Sequence, residues 1–166
     1  MTETSKDLTL DDTDYRILEL LQTNGRMSNA DLARQLKLSP PAIHARLRRL
    51  ENQGVIREYV TLLDWEQLGY DMLCFINVAI QVHQPQTVEQ FRLAVKQMPE
   101  VLECHHVTGE YDYLLKVAVR NRKELERFVL DQLTPIPGIA KIYTSLVLRE
   151  IKFSTAIPVG RPPGNQ

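Results

Sequence analysis

This chain has little with which to build a covalent framework. Two cysteines, Cys74 and Cys104, stand in 166 residues, too few for a disulfide scaffold, and a reducing cytoplasm is the expected setting. Glycine is scarce at seven residues, and no Gly-rich loop of the phosphate-cradling kind occurs. No segment approaches the roughly 18 consecutive apolar residues of a membrane span. Residues 1–7 contain no apolar signal core. An excess of one charge is also missing, since 20 Lys+Arg face 21 Asp+Glu for a formal net charge of −1. A membrane protein, a secreted mini-protein and a fibrous protein are thereby excluded. What is present, 43% apolar and 25% charged residues, is the balance of a soluble globular chain. The length suits one ordinary domain or two small ones.

Charge is unevenly spread. Between residues 26 and 57 lie seven basic residues (Arg26, Arg34, Lys37, Arg46, Arg48, Arg49, Arg57) and two acidic ones, Asp31 and Glu51. A basic stripe confined to one segment suits a phosphate-binding surface, although a solvated helix face has the same composition.

That segment reads as three helices. The first follows an N-cap at Asp11 or Asp12, buries Ile17, Leu18 and Leu21, and ends at Asn24-Gly25. The second opens at Ser28, with Asp31 three residues on in a capping-box-like arrangement. The third opens at Ser39, has Pro40 where a missing N–H costs nothing, and stops at Gly54. On a 100° wheel Ile43, Leu47 and Leu50 face inward, while Pro41, Ala45, Arg48, Arg49 and Asn52 face outward and Arg46 lies on the flank. Small residues early and cations later suit a helix whose N-terminal end enters a major groove. The two helices joined by Lys37-Leu38-Ser39 fit a helix-turn-helix, and residues 55–64 are expected as a short wing strand.

After Gly69 the period changes to two. Cys74, Ile76, Val78, Ile80 and Val82 alternate with Phe75, Asn77 and Ala79 as a strand. A helix over 87–97, strands over 101–108 and 111–119, a helix over 122–133 and a strand over 139–151 follow. The order βαββαβ predicts a ferredoxin-like antiparallel sheet with both helices on one face. Its other face, with Leu73, Phe75 and Ala79, asks for a partner subunit. The fold class is therefore α+β, an N-terminal helix-turn-helix (winged-helix-like) domain over 1–60, a linker over 61–69 and a ferredoxin-like domain over 70–152. Residues 153–166 read as a disordered tail.

Cys104-His105-His106 raises a metal site and a nucleophile–base pair. Strand alternation puts His105 on the face opposite Cys104 and His106, so the three cannot easily share an ion. Same-face residues two apart in a strand are about 7 Å from each other, too far for direct proton transfer. No metal, no cofactor and no catalysis are expected.

Four motifs in order carry a resemblance: Leu10-Asp-Asp-Thr-Asp-Tyr-Arg-Ile-Leu18, Leu38-Ser-Pro40, Arg46-Leu-Arg-Arg-Leu-Glu51 with Gly54-Val-Ile56, and Thr108-Gly-Glu-Tyr-Asp-Tyr-Leu-Leu115. The chain resembles the Lrp/AsnC family of prokaryotic transcriptional regulators from Leu10 to Lys152. The resemblance implies a cytoplasmic, sequence-specific regulator that binds double-stranded DNA and senses a small-molecule effector, an amino acid or similar metabolite. It implies a homodimer assembling into a higher homo-oligomer, a tetramer, hexamer or octamer with the octamer favoured. On that basis Ser28, Ser39, Pro40, Pro41, Ala42, His44, Ala45, Arg46, Arg48 and Arg49 are expected at DNA, with the three arginines mainly on phosphates.

The effector set is His106, Gly109, Glu110, Tyr111, Asp112, Ser145, Leu146 and Val147. Asp112 would accept from an effector ammonium group and amides around Gly109 would receive its carboxylate, because both charges are costly to desolvate unpaired. The last three residues would complete the pocket between neighbouring dimers. Two positions depart from the family. Lys37 stands in a turn that usually holds a small residue, and a left-handed backbone there costs on the order of 1 kcal/mol. His106 replaces a more usual apolar side chain, which would favour a polar effector. An architectural DNA-binding protein without effector is the alternative, separable by ligand response and promoter selectivity.

Overall fold

The structure, a computed structural model, describes residues 9–81 and 84–160. The chain divides into two compact units: Leu63–Ile151 forms one, and the residues up to Leu62 form the other together with the segment from Lys152 onward.

The first unit holds α1 (Asp12–Thr23), α2 (Asn29–Leu36) and α3 (Pro40–Asn52). Each helix begins where a side chain caps it. Asp11 accepts from the Asp14 amide while the Asp14 carboxylate accepts from the Asp11 amide, a reciprocal box on α1. Ser28 caps α2 and Ser39 caps α3, each accepting from the amide three residues on. Among the described residues Lys37 is the one non-glycine at positive φ, at 54°, and its left-handed backbone closes α2 and starts the turn. Ile17, Leu32, Ile43, Leu47 and Leu50 make the shared core. The expected wing strand at 55–64 does not form: these residues pair with no strand among the described residues, and the Val55 and Ile56 amides donate back to the Leu50 carbonyl. Residues 153–160 also differ from a free tail, because Gln22 holds Ile157 at two points. Its Nε2 donates to the Ile157 carbonyl (3.0 Å) and its Oε1 accepts from the Ile157 amide (2.7 Å). The rest of that expectation, 161–166, lies outside the described residues.

The second unit holds β1 (Met72–Ile80), α4 (Pro85–Lys96), β2 (Val101–His106), β3 (Tyr113–Val119), α5 (Arg122–Arg127) with a π-helical turn over Phe128–Leu133, and β4 (Ile139–Leu146). The four strands pair antiparallel in the order β2-β3-β1-β4. This is the expected ferredoxin-like arrangement. Val82, expected to end the first strand, lies outside the described residues. Cys74, Ile76, Val78 and Ile80 share one core with Leu115, Val117, Phe91 and Phe128, which defines the helix-covered face. The helix expected over 122–133 is not uniform, because the Thr134 amide reaches back five residues to the Val129 carbonyl. On the open face Phe75 is 37% exposed, whereas Leu73, expected there as apolar area, is covered within the chain.

Candidate nucleic-acid interface and ligand loop

Helix α3 projects Pro41, His44, Ala45, Arg48 and Arg49 from the first unit, and Ala42 and Arg46 are partly covered. Ser28, Ser39 and Pro40 are exposed at the starts of α2 and α3. Pro40 and Pro41 remove two amide donors at the tip of α3, where little but apolar ring and backbone is presented. The arginines differ sharply from one another. Arg46 Nη1 donates to Asp11 Oδ2 (2.7 Å) and Asp14 Oδ1 (2.8 Å), and Arg49 Nη2 pairs with Asp14 Oδ2. Hydrogen bonding from Arg46 holds the Asp11 carboxyl below the usual carboxylate range. Glu51, the partner that sequence proximity offers, instead accepts from the Tyr59 hydroxyl (3.1 Å). Arg48 forms no ion pair among the described residues. It lines a cleft of about 330 Å³ with His44, Leu47, Glu51, Tyr59 and Met27. Burial, with the Glu51 carboxylate beside it, pushes the Tyr59 phenol up to about 12.

In the second unit, the loop 107–112 joins β2 to β3. Gly109 has φ 124° and nothing within 4 Å of where a Cβ would stand, so backbone rather than space demands glycine. Asp112 is committed to the fold at three atoms. Its Oδ2 accepts from the Ile80 amide (2.7 Å), its own amide donates to the Val78 carbonyl, and its carbonyl accepts from the Val107 amide. The loop's neighbours on β4 are Lys141 and Tyr143. Lys141 Nζ donates to Glu110 Oε1 (2.6 Å) and sits 5.0 Å from the Tyr111 ring centre, and the Tyr111 and Tyr143 rings are 6.4 Å apart. Sequence reasoning missed both residues, because only the β1–β4 register brings them beside the loop.

The remaining expected residues are not gathered there. Ser145 lies opposite Phe75, Leu146 opposite Cys74, and the Val147 amide donates to Leu73. Asp112 touches Val78 and Ile80, three to seven residues from Phe75, Cys74 and Leu73, so at about 3.3 Å per residue these sets are roughly 10–23 Å apart along β1. His106 is opposite Tyr113 and stacks on its ring at 5.0 Å, on the helix-covered side, while Tyr143, opposite Asn77, belongs to the open face. Cys104 pairs with Leu115 on the helix side, and His105 joins Glu103 and Lys116 on the other. Among the described residues no group of three or more His, Cys, Asp or Glu is placed to hold a metal.

A helix-turn-helix with an exposed second helix, set in sequence before a ferredoxin-like domain with a shaped loop, defines a two-domain DNA-binding regulator. Residues 10–57 match the winged helix-turn-helix DNA-binding family and residues 73–157 the Lrp/AsnC ligand binding domain. The chain belongs to the Lrp/AsnC family of transcriptional regulators. It is 37% identical over 150 residues to the leucine-responsive regulatory proteins of Escherichia coli K12 and Salmonella typhimurium, spanning 90% of this chain and 92% of each relative. A Neisseria meningitidis transcriptional regulator, solved as an L-Met complex, superposes with a TM-score of 0.86 at 40% identity over 90% of this chain and 97% of that one. An AsnC family regulator from Agrobacterium tumefaciens gives 0.84 at 30% identity over 90% and 97%. Among the described residues no helix is long and apolar enough to cross a membrane.

Proposed function

We propose that this regulator binds double-stranded DNA through the N-terminal end and outer side of α3, and that an amino acid bound by its second domain tunes that binding. The observation that carries the effector half is the 40% identical regulator in complex with L-Met, matched over 90% of this chain. For DNA, Ser28, Ser39, Pro40, Pro41, Ala42, His44, Ala45 and Arg48 are the contacting set, whereas Arg46 and Arg49 are paired with Asp14. None of the set but Arg48 has bidentate reach to a base, so readout is modest and partly by DNA shape.

The effector set is His106, Gly109, Glu110, Tyr111 and Asp112, with Ser145, Leu146 and Val147 supplied by a neighbouring copy. The separation of the two sets along β1 favours that division. The open sheet face, with Phe75 and Tyr143 exposed, favours a homodimer, and a shared effector pocket favours a ring of dimers such as an octamer. Residues 1–60 serve DNA, 61–69 link, and 70–152 sense and assemble, in the cytoplasm. No catalytic step belongs to this reading, and partial desolvation raises the Cys104 thiol, the opposite of an activated nucleophile.

The test is fluorescence anisotropy on a random-sequence duplex and on duplexes enriched from a random pool, with and without each amino acid. Wild type should bind with an affinity that one class of amino acid changes. Arg48→Ala should weaken both duplexes alike and lower the log–log salt slope by about 1. DNA binding indifferent to every amino acid would favour the architectural alternative, and an unchanged slope would remove Arg48 from the interface.

A further inference from the structure

The carboxylate of Asp14 is fully buried in the first unit, the only buried charged residue among those described. Burying a carboxylate is unfavourable unless its oxygens are satisfied. Here they are, by three donors from two directions: the Asp11 amide (3.0 Å), Arg46 Nη1 (2.8 Å) and Arg49 Nη2. The first donor belongs to the capping box that starts α1, and the other two come from α3, 32 and 35 residues away. Asp11 closes the arrangement, since it caps α1 and also accepts from Arg46. The N-terminus of α1 is thus tied to the middle of α3 through one charged node. Such a node is sensitive to geometry, because removing one partner leaves the other charge buried and uncompensated.

We infer that Asp14 is a positioning residue for DNA binding: by clamping Arg46 and Arg49 it fixes the orientation of α3 and withholds both cations from phosphate, leaving Arg48 as the arginine of α3 that meets DNA. Side-chain geometry supports the withholding. Arg46 is the more covered of the two, with 28% of its side chain exposed against 43% for Arg49, and each turns one guanidinium nitrogen inward, Nη1 of Arg46 and Nη2 of Arg49. Turning either guanidinium outward to a phosphate would strand the buried carboxylate, a larger loss than one exposed contact returns. The basic character of the segment therefore overstates the number of cations offered to DNA by two. The inference rests on the reading of α3 as the DNA-binding helix, and the measurement separates the two.

The experiment is salt-dependent anisotropy on a random-sequence duplex and on a duplex enriched from a random pool, with wild type, Asp14→Asn, Arg46→Gln and Arg49→Gln. Asparagine keeps the shape and an acceptor for the Asp11 amide while removing the charge. Asp14→Asn should steepen the salt slope by about 0.9 for each arginine released and tighten random-duplex binding. It should also shrink the preference for the enriched duplex, an effect that simple destabilisation would not produce together with tighter random binding. Arg46→Gln and Arg49→Gln should each leave the slope of wild type unchanged.

A slope that falls by about 0.9 in either arginine variant would overturn the clamp and make that arginine a phosphate ligand. An unchanged or shallower slope in a folded Asp14→Asn would overturn it as well. Should Asp14→Asn fail to fold, the two arginine variants decide the matter alone. Failure of wild type to bind either duplex would instead defeat the DNA-binding reading of α3.

Discussion

A single buried carboxylate reorganises the meaning of three arginines that look equivalent in sequence. Arg46, Arg48 and Arg49 fall within one helical turn, and wheel geometry separates them only by angle. Which of them is committed inward depends on Asp14, more than 30 residues earlier, and no local pattern of α3 contains that information. The same holds for Asp112, whose carboxylate could equally serve a ligand or the backbone until β1 brings the Ile80 amide to it at 2.7 Å. Tyr59 offers a test at this scale. Its phenol is raised to about 12 by burial beside Glu51, against about 10 in an unfolded chain. The neutral form is favoured in the fold, so this contribution is present below pH 10 and is lost as pH rises from there through about 12. The spectroscopic phenol titration of wild type minus Tyr59→Phe should have its midpoint near 12. A midpoint near 10 would mean that the phenol is not held by Glu51 in solution.

Helices were legible where their start signals are local. Asp11, Ser28 and Ser39 each sit beside the amide they cap, and Gly54 closes the sequence-predicted third helix. The alternation of β1 was equally plain, since one of its faces is packed under helices. Illegible were features set by distant partners. Residues 55–64 have strand-like composition but no strand partner among the described residues, and a π-helical turn differs from an α-helix by one residue of backbone bonding. The register that places Lys141 and Tyr143 at the 107–112 loop, and carries Ser145 to the far end, is likewise non-local. Segment 153–160 lacks any periodicity yet is held by an amide side chain on α1. Lys37 holds φ 54° and ψ 42° without a side-chain ion pair among the described residues. Lys37→Gly should therefore stabilise the chain by about 0.5–1 kcal/mol in urea unfolding. A loss of stability would show that the lysine side chain earns its place in that turn.

For the whole molecule the question is what one chain leaves unfinished. Phe75 is 37% exposed and Tyr143 55% on a sheet face that carries no helix, and the proposed ligand residues fall in two separated groups along β1. A second copy would cover the first and join the second, and an effector that bridges copies would then couple to DNA binding by linkage. Phe75→Glu should shift sedimentation velocity to a smaller particle while the sheet itself stays folded by circular dichroism. Unchanged sedimentation would place the contact between copies elsewhere.

Amino-acid binding by the second domain of this DNA-binding regulator is tested most directly by a thermal-shift screen of the full chain against the twenty amino acids. A ligand at 100 times its Kd stabilises by about 2.7 kcal/mol, which is readily seen as a rise in Tm. A clear rise with one amino acid or one chemically related group is expected. No rise with any of the twenty, at concentrations up to the millimolar range, would contradict such binding.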